Sequence, residues 1–247
     1  MNTSSGSHGR ADVALVELKL FESRTKAQEA IAAGLVRADG RRIRKPSDFI
    51  DPAAKIEATP AYPWVSRGGV KLAAALDTFG LDPSGHHCLD IGASTGGFTH
   101  VLLARDAAKV LCVDVGHGQL HPHVAGDPRV EAFEGMDVRA MPNSLWEPPP
   151  SFMTCDVSFI PLDRVLPTIL PRAARNARLV ALIKPQFEAG RGAASKGIVK
   201  SDAIKQQVCE KIKNLVQNLG FRLVGVMPSP ITGSDGNQEF LLGAMRE

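Results

Sequence analysis

The chain has 247 residues, 44% of them hydrophobic and 22% charged, which suits one large α/β domain or a medium domain with a small appendage. A net charge of +3 does not by itself demand a polyanionic partner, and no run approaches the roughly 18 apolar residues of a membrane helix. Cys88, Cys112, Cys155 and Cys209 lie far apart with no C-x-x-C pair, which argues against a zinc knuckle or disulfide framework and favours a reduced, cytoplasmic setting.

The Ser/Gly-rich start, residues 1–9, reads as disordered and lacks the apolar segment of a secretion signal. Residues 10–58 read as a small α+β module. Val13, Val16 and Leu20 recur at helical spacing across Ala11 to Leu20. Ser23 is placed to cap a second helix that runs to Ala33, where Gly34 suits a left-handed stop. Leu35-Val36-Arg37 and Arg42-Ile43-Arg44 read as short strands around an Asp39-Gly40 turn. A core this small suits an appended module rather than a free domain. Arg37, Arg41, Arg42, Arg44 and Lys45, opposed locally only by Asp39, form a basic strip, either a phosphate footprint or a solvated surface.

Residues 59–66 read as a semi-rigid linker, because Pro60 and Pro63 fix the backbone. Tyr62 and Trp64 in it could stack on bases or pack against protein. From residue 67 to 247, strands and helices alternate. Strands are expected at His87 to Ile91, Val110 to Val115, Arg129 to Phe133, Phe152 to Asp156, Leu179 to Ile183, Phe221 to Met227 and Glu239 to Met245. The clearest helix is Asp202 to Leu219, capped by Ser201, with Ile204, Val208, Ile212, Leu215 and Leu219 on one stripe. That order predicts a mostly parallel sheet with helices on both faces and a terminal hairpin.

The strongest local signal is Leu89-Asp90-Ile91-Gly92-Ala93-Ser94-Thr95-Gly96-Gly97-Phe98, a strand running into a glycine turn that opens a helix. Ser94 stands where a dinucleotide fingerprint needs glycine, and no triphosphate-binding loop is present. Asp90 can face a cationic amino group, and Gly92, Gly96 and Gly97 admit close approach of a ligand. Asp114, at the next strand end, can take ribose hydroxyls, as in both nicotinamide and S-adenosylmethionine sites. Asp137 could accept from an adenine amino group. His117, His121 and His123 lack an acidic or Cys partner nearby, so no metal is expected.

The glycine loop resembles the cofactor loop of FtsJ-type RNA methyltransferases. Val65-Ser66-Arg67-Gly68-Gly69-Val70-Lys71-Leu72, Asp156-Val157-Ser158-Phe159-Ile160 and Lys184-Pro185-Gln186-Phe187-Glu188 narrow the resemblance to the TlyA family, also called hemolysin A. It covers about residues 10–247. It implies a Rossmann-like class I methyltransferase domain with a seven-stranded mixed sheet, preceded by an S-four-like RNA-binding module around Ser23-Arg24 and Gly34-Leu35-Val36. It also implies S-adenosyl-L-methionine as cofactor, with Asp90, Gly92, Ser94, Gly96, Gly97, Phe98, Asp114 and Asp137 in its site.

A Lys-Asp-Lys-Glu tetrad falls by the same resemblance on Lys71, Asp156, Lys184 and Glu239. The expected reaction is methylation of ribose 2′-oxygens of ribosomal RNA, on cytidine, with Lys184 as candidate base. Asp156-Val157-Ser158-Phe159 in place of a Pro-Pro-aromatic motif also argues for oxygen as acceptor. Arg24, Lys26 and the 37-to-45 strip are the expected RNA grip. Relatives often carry an arginine-containing linker where this chain has Ala61-Tyr62-Pro63-Trp64. Ala189-Gly190-Arg191-Gly192 and Lys196-Gly197 form a basic loop, either a phosphate contact or a plain connection. Rival readings are a membrane-lytic protein, a silent RNA binder and a nicotinamide oxidoreductase.

Overall fold

The computed structural model describes residues 9–51, 53–190, 193, 195 and 197–246. The chain divides between Pro63 and Trp64 into two compact units.

The first unit comprises β1 (Gly9–Arg10), α1 (Ala11–Glu17), α2 (Arg24–Ala32), β2 (Val36–Ala38), β3 (Arg41–Arg42), β4 (Phe49–Ile50) and β5 (Ile56–Ala58). Ser23 caps α2 by accepting from the Lys26 amide at 3.3 Å. Asp39 and Gly40 both take positive φ, 48° and 75°, which makes the two-residue turn between β2 and β3. Strand β5 pairs along the other edge of β2, and β1 pairs with β4; neither pairing is foreshadowed by the short, irregular stretches involved.

The expected stripe on α1 is corrected. Lys19 adopts φ 58° and the helix ends at Glu17, so Leu18 and Leu20 stay exposed. Ala11, Leu15 and Phe21 turn inward instead, against Ala27, Ala30 and Ile31 of α2 and against Val36, Ile43 and Ile50.

The second unit comprises α3 (Gly68–Phe79), β6 (His87–Ile91), α4 (Gly97–Ala104), β7 (Lys109–Asp114), α5 (Pro122–Ala125), β8 (Val130–Glu134), β9 (Phe152–Cys155), α6 (Leu166–Ile169), β10 (Arg178–Ile183), α7 (Pro185–Glu188), α8 (Asp202–Asn218), β11 (Phe221–Pro228) and β12 (Phe240–Arg246). Seven strands form one mixed sheet in the order β11-β12-β10-β9-β6-β7-β8, and β12 runs against both its neighbours.

Strand side chains alternate across two cores. Leu89, Ile91, Val113, Met153, Cys155 and Ile183 face one, closed by α6 and α8. Cys88, Val110, Cys112, Phe152 and Val180 face the other, under α3 and α4. The fully buried residues of α8 are Val208, Cys209, Ile212 and Val216. Ile204, Leu215 and Leu219 of the expected stripe are only partly buried, so its axis lies about one position from the sequence estimate. All four cysteines are buried and free. Chain order reverses where β6 lies between β7 and β9, and a crevice opens there beyond the carboxyl ends of the strands.

Candidate active site

Gly92 ends β6 with φ 77°, and a Cβ there would stand 2.3 Å from the Asp156 carbonyl oxygen. Only glycine lets these two strand ends approach so closely. At Gly97 an added Cβ would meet Ser66 Oγ at 2.2 Å, so the start of α4 and the turn before α3 are in contact. Between these positions Ser94 takes φ 47°, and its amide donates to Asp114 Oδ2 at 2.8 Å. Asp114 Oδ1 accepts from the Gly116 amide at 2.7 Å. The carboxylate at the end of β7 thus clamps the glycine loop.

Two cavities meet at this crevice. The larger, about 510 Å³, has an apolar floor that includes Ile91, Val113, Met136, Val138 and Val165. Polar groups of Ser94, Asp114, Asp137, Asp156 and Ser158 lie on its walls. That size and composition suit a nucleoside-sized ligand. The smaller, about 140 Å³, is lined by Ser66, Gly68, Lys71, Gly97, Phe98 and Asp156 among others, and it shares Gly92, Ser94 and Asp156 with the first.

The four tetrad positions form two ion pairs. Lys71 Nζ lies 2.5 Å from Glu239 Oε2, with side chains 10% and 3% exposed. Lys184 Nζ lies 2.6 Å from Asp156 Oδ1, with side chains 11% and 20% exposed. Lys71 and Asp156, one from each pair, line the same small cavity. Glu239 directly precedes β12, and the turn at Gly233 packs on its carboxylate. Lys184 also donates to Ser158 Oγ at 2.7 Å.

Asp90 departs from its expected position. It is fully buried, and its carboxylate accepts from Thr99 Oγ1 at 2.6 Å and Thr154 Oγ1 at 2.8 Å. Burial pushes its carboxyl up to about 6 against those two hydrogen bonds. Strand alternation is the reason: Asp90 points toward α4, whereas Ile91 reaches the larger cavity. Gly96 likewise lines neither cavity; its φ of 86° opens α4. Asp137 does line the larger cavity, but Arg139 grips it, and that side-chain hydrogen bond holds its carboxyl below the usual range.

Ser66, Ser158, Gln119 and Arg139 are site residues that sequence reasoning passed over. The first two lie inside the motifs quoted above, where their hydroxyls were the available signal. Trp64 stands edge-on to His100 at 5.4 Å, and His100 Nδ1 accepts from the Val65 amide at 3.1 Å. Among the described residues no group of three His, Cys, Asp or Glu side chains could hold a metal ion.

In the first unit Arg37, Arg41, Arg42, Arg44 and Lys45 are exposed, and Lys26 is half-buried, 4.0 Å above the Tyr62 ring. Tyr62 also donates to Glu29. Arg24 is tied to Asp12, a fully buried carboxylate that also accepts from Arg10 and Gln28. Arg191, Gly192 and Lys196 of the expected basic loop lie outside the described residues.

A family model for FtsJ-like methyltransferases matches residues 64–246, and one for the S4 domain matches residues 9–56. The chain belongs to the FtsJ-like methyltransferase family. It is 40% identical over 236 residues to the 16S/23S rRNA (cytidine-2'-O)-methyltransferase TlyA of Mycobacterium tuberculosis (strain ATCC 25618 / H37Rv), covering 94% of this chain and 88% of that protein. It is 39% identical over 222 residues to Hemolysin A of Brachyspira hyodysenteriae, covering 89% and 92%. Among solved structures, a "putative hemolysin" from Streptococcus thermophilus superposes with a TM-score of 0.73 at 38% identity, covering 97% of this chain and 88% of that one. The FtsJ-like match thus contains both cavities and all four tetrad residues. No helix among the described residues is long and apolar enough to cross a membrane.

Proposed function

We propose that this FtsJ-like chain transfers a methyl group from S-adenosyl-L-methionine to the ribose 2′-oxygen of a cytidine in ribosomal RNA. The observation that carries this reading is the pair of ion pairs, Lys71 with Glu239 and Lys184 with Asp156, each of which sends one member, Lys71 and Asp156, to the wall of one small cavity beside a nucleoside-sized one. The M. tuberculosis relative, named for cytidine-2'-O-methylation of rRNA, supports the substrate class. A ribosomal target implies action in the cytoplasm.

The larger cavity fits the cofactor's nucleoside. Asp114 offers its free lone pairs to ribose hydroxyls, Asp137 stands at the base end, and the apolar floor covers the ring. Gly92, Ser94, Gly97 and Phe98 line the smaller cavity, and the first two line the larger one as well. The bound cofactor supplies a sulfonium methyl, an electrophile that needs an oxygen held in line behind it.

Lys184, as the neutral amine, would take the hydroxyl proton at Nζ as the ribose oxygen accepts the methyl that the donor's sulfur would release. The positive charge that the bound donor would bring would end on Lys184 Nζ once the proton has moved there, so charge would be conserved. Asp156 orients Lys184 and stabilises the resulting ammonium, while Lys71, held by Glu239, lines the cavity where the ribose oxygen would lie.

The first unit grips structured RNA through Arg24, Lys26 and the exposed strip of Arg37, Arg41, Arg42, Arg44 and Lys45. Lys184→Ala tests the site. Transfer to ribosomal subunits should fall by about 10²–10⁴-fold while cofactor affinity by calorimetry stays within about twofold. Retained turnover removes Lys184 as the base.

A further inference from the structure

Lys184 Nζ has three substituent positions besides its carbon. One hydrogen goes to Ser158 Oγ, 2.7 Å away, while Asp156 Oδ1 stands 2.6 Å away as an ion-pair partner outside hydrogen-bond geometry. An amine with one hydrogen on the Ser158 oxygen and a carboxylate oxygen against its nitrogen is held from turning freely about its last carbon–nitrogen bond, which narrows the directions open to its lone pair. We propose that Ser158 is a positioning residue that, together with Asp156, fixes the direction of the Lys184 lone pair and so the line along which the ribose hydroxyl is met. This rests on the reading of Lys184 as proton acceptor.

The surrounding structure makes the contact rigid. Asp156 and Ser158 follow β9, Lys184 follows β10, and these strands pair in parallel from Arg178↔Phe152 to Ala181↔Cys155. Pro185 restrains the backbone immediately after Lys184. Asp156 and Ser158 both line the larger cavity, so the two partners stand at the edge of the site rather than behind it. Ser158 offers what a second carboxylate would not, because its neutral oxygen accepts an N–H without adding charge. The contact is available to the amine before proton transfer and to the ammonium after it, so the geometry need not relax during the step.

Ser158→Ala, Ser158→Cys and Ser158→Thr, each in the full chain, test the inference under single turnover on ribosomal subunits. Ala and Cys should lower the methyl-transfer rate by about ten- to a hundredfold, the loss expected from a small misplacement of a reacting group. KM for the subunits and cofactor affinity should stay within about twofold, and Thr, which restores the hydroxyl, should recover most of the rate. A rate for Ala within twofold of the native chain overturns the proposal. So does a loss confined to KM, or a Thr variant as slow as Ala. Lys184→Ala is measured alongside: if it is inactive while Ser158→Ala is normal, only the role of Ser158 fails, whereas an active Lys184→Ala removes the base itself.

Discussion

The two units use cation–carboxylate pairs in opposite ways. In the first, the carboxylate is hidden and the cations face outward: Asp12 is fully buried, whereas the side chains of Arg10 and Arg24 are 52% and 56% exposed. In the second, both partners are withdrawn from water, with Lys71, Glu239, Lys184 and Asp156 all at 20% exposure or less. An outward guanidinium on a buried tether keeps its reach toward a polyanion. A buried amine is held in one place at the expense of hydration, an arrangement suited to chemistry rather than to general adhesion.

The largest effect should come from breaking a buried pair. Glu239→Ala strands the Lys71 ammonium and should cost about 3–5 kcal/mol in urea unfolding; a loss below 1 kcal/mol would mean that water reaches the pair freely. Asp90 sharpens the same contrast through pH. Its carboxyl titrates near 6 in the folded chain and near 4 unfolded, so the stability tied to its protonation is present below about pH 4 and lost as pH rises to 6. Asp90→Asn should therefore flatten the pH dependence of unfolding between 4 and 7, by about 3 kcal/mol in total. Parallel curves for the two proteins would show that Asp90 is already ionised in the fold.

Smaller changes are expected in the first unit. Reversing Arg41, Arg42 and Arg44 to Glu together should weaken RNA binding about tenfold or more, and each lost phosphate contact should reduce the slope of log K against log salt by about 0.7–0.9. An unchanged slope locates the RNA footprint elsewhere. Asp12→Asn should cost about 1–2 kcal/mol, because the half-exposed arginines rehydrate once released. Hydrogen bonds, chiefly from Arg10, hold the Asp12 carboxyl below its ordinary range. Its contribution is therefore present at neutral pH and lost as pH falls below about 4, where the variant and native curves should converge.

The parallel strands and α8 were legible in sequence because each is a long apolar run or a regular stripe bounded by glycine, proline or a cap. The tetrad positions came from the resemblance to FtsJ-type enzymes, and the fold joins those four side chains in two ion pairs. The β1–β4 pairing in the first unit was not legible, because both strands are two residues long and their pairing is decided by tertiary contact. The inward turn of Phe21 instead of Leu20 depends on the backbone at Lys19, which composition does not reveal. Asp90 looked like a ligand because it precedes the glycine loop; only the alternation of β6 and the positions of Thr99 and Thr154 show where its carboxylate is engaged. Ser158 was hidden by its ordinary residue type, and its meaning comes from the pairing of β9 with β10.

The most direct measurement is nucleoside mass spectrometry of ribosomal RNA after incubation of ribosomal subunits with the purified chain and isotopically labelled S-adenosylmethionine. The account predicts labelled 2′-O-methylcytidine with the native chain and none with Lys184→Ala. Label on a base, or no label on any ribose with the native chain, would contradict it.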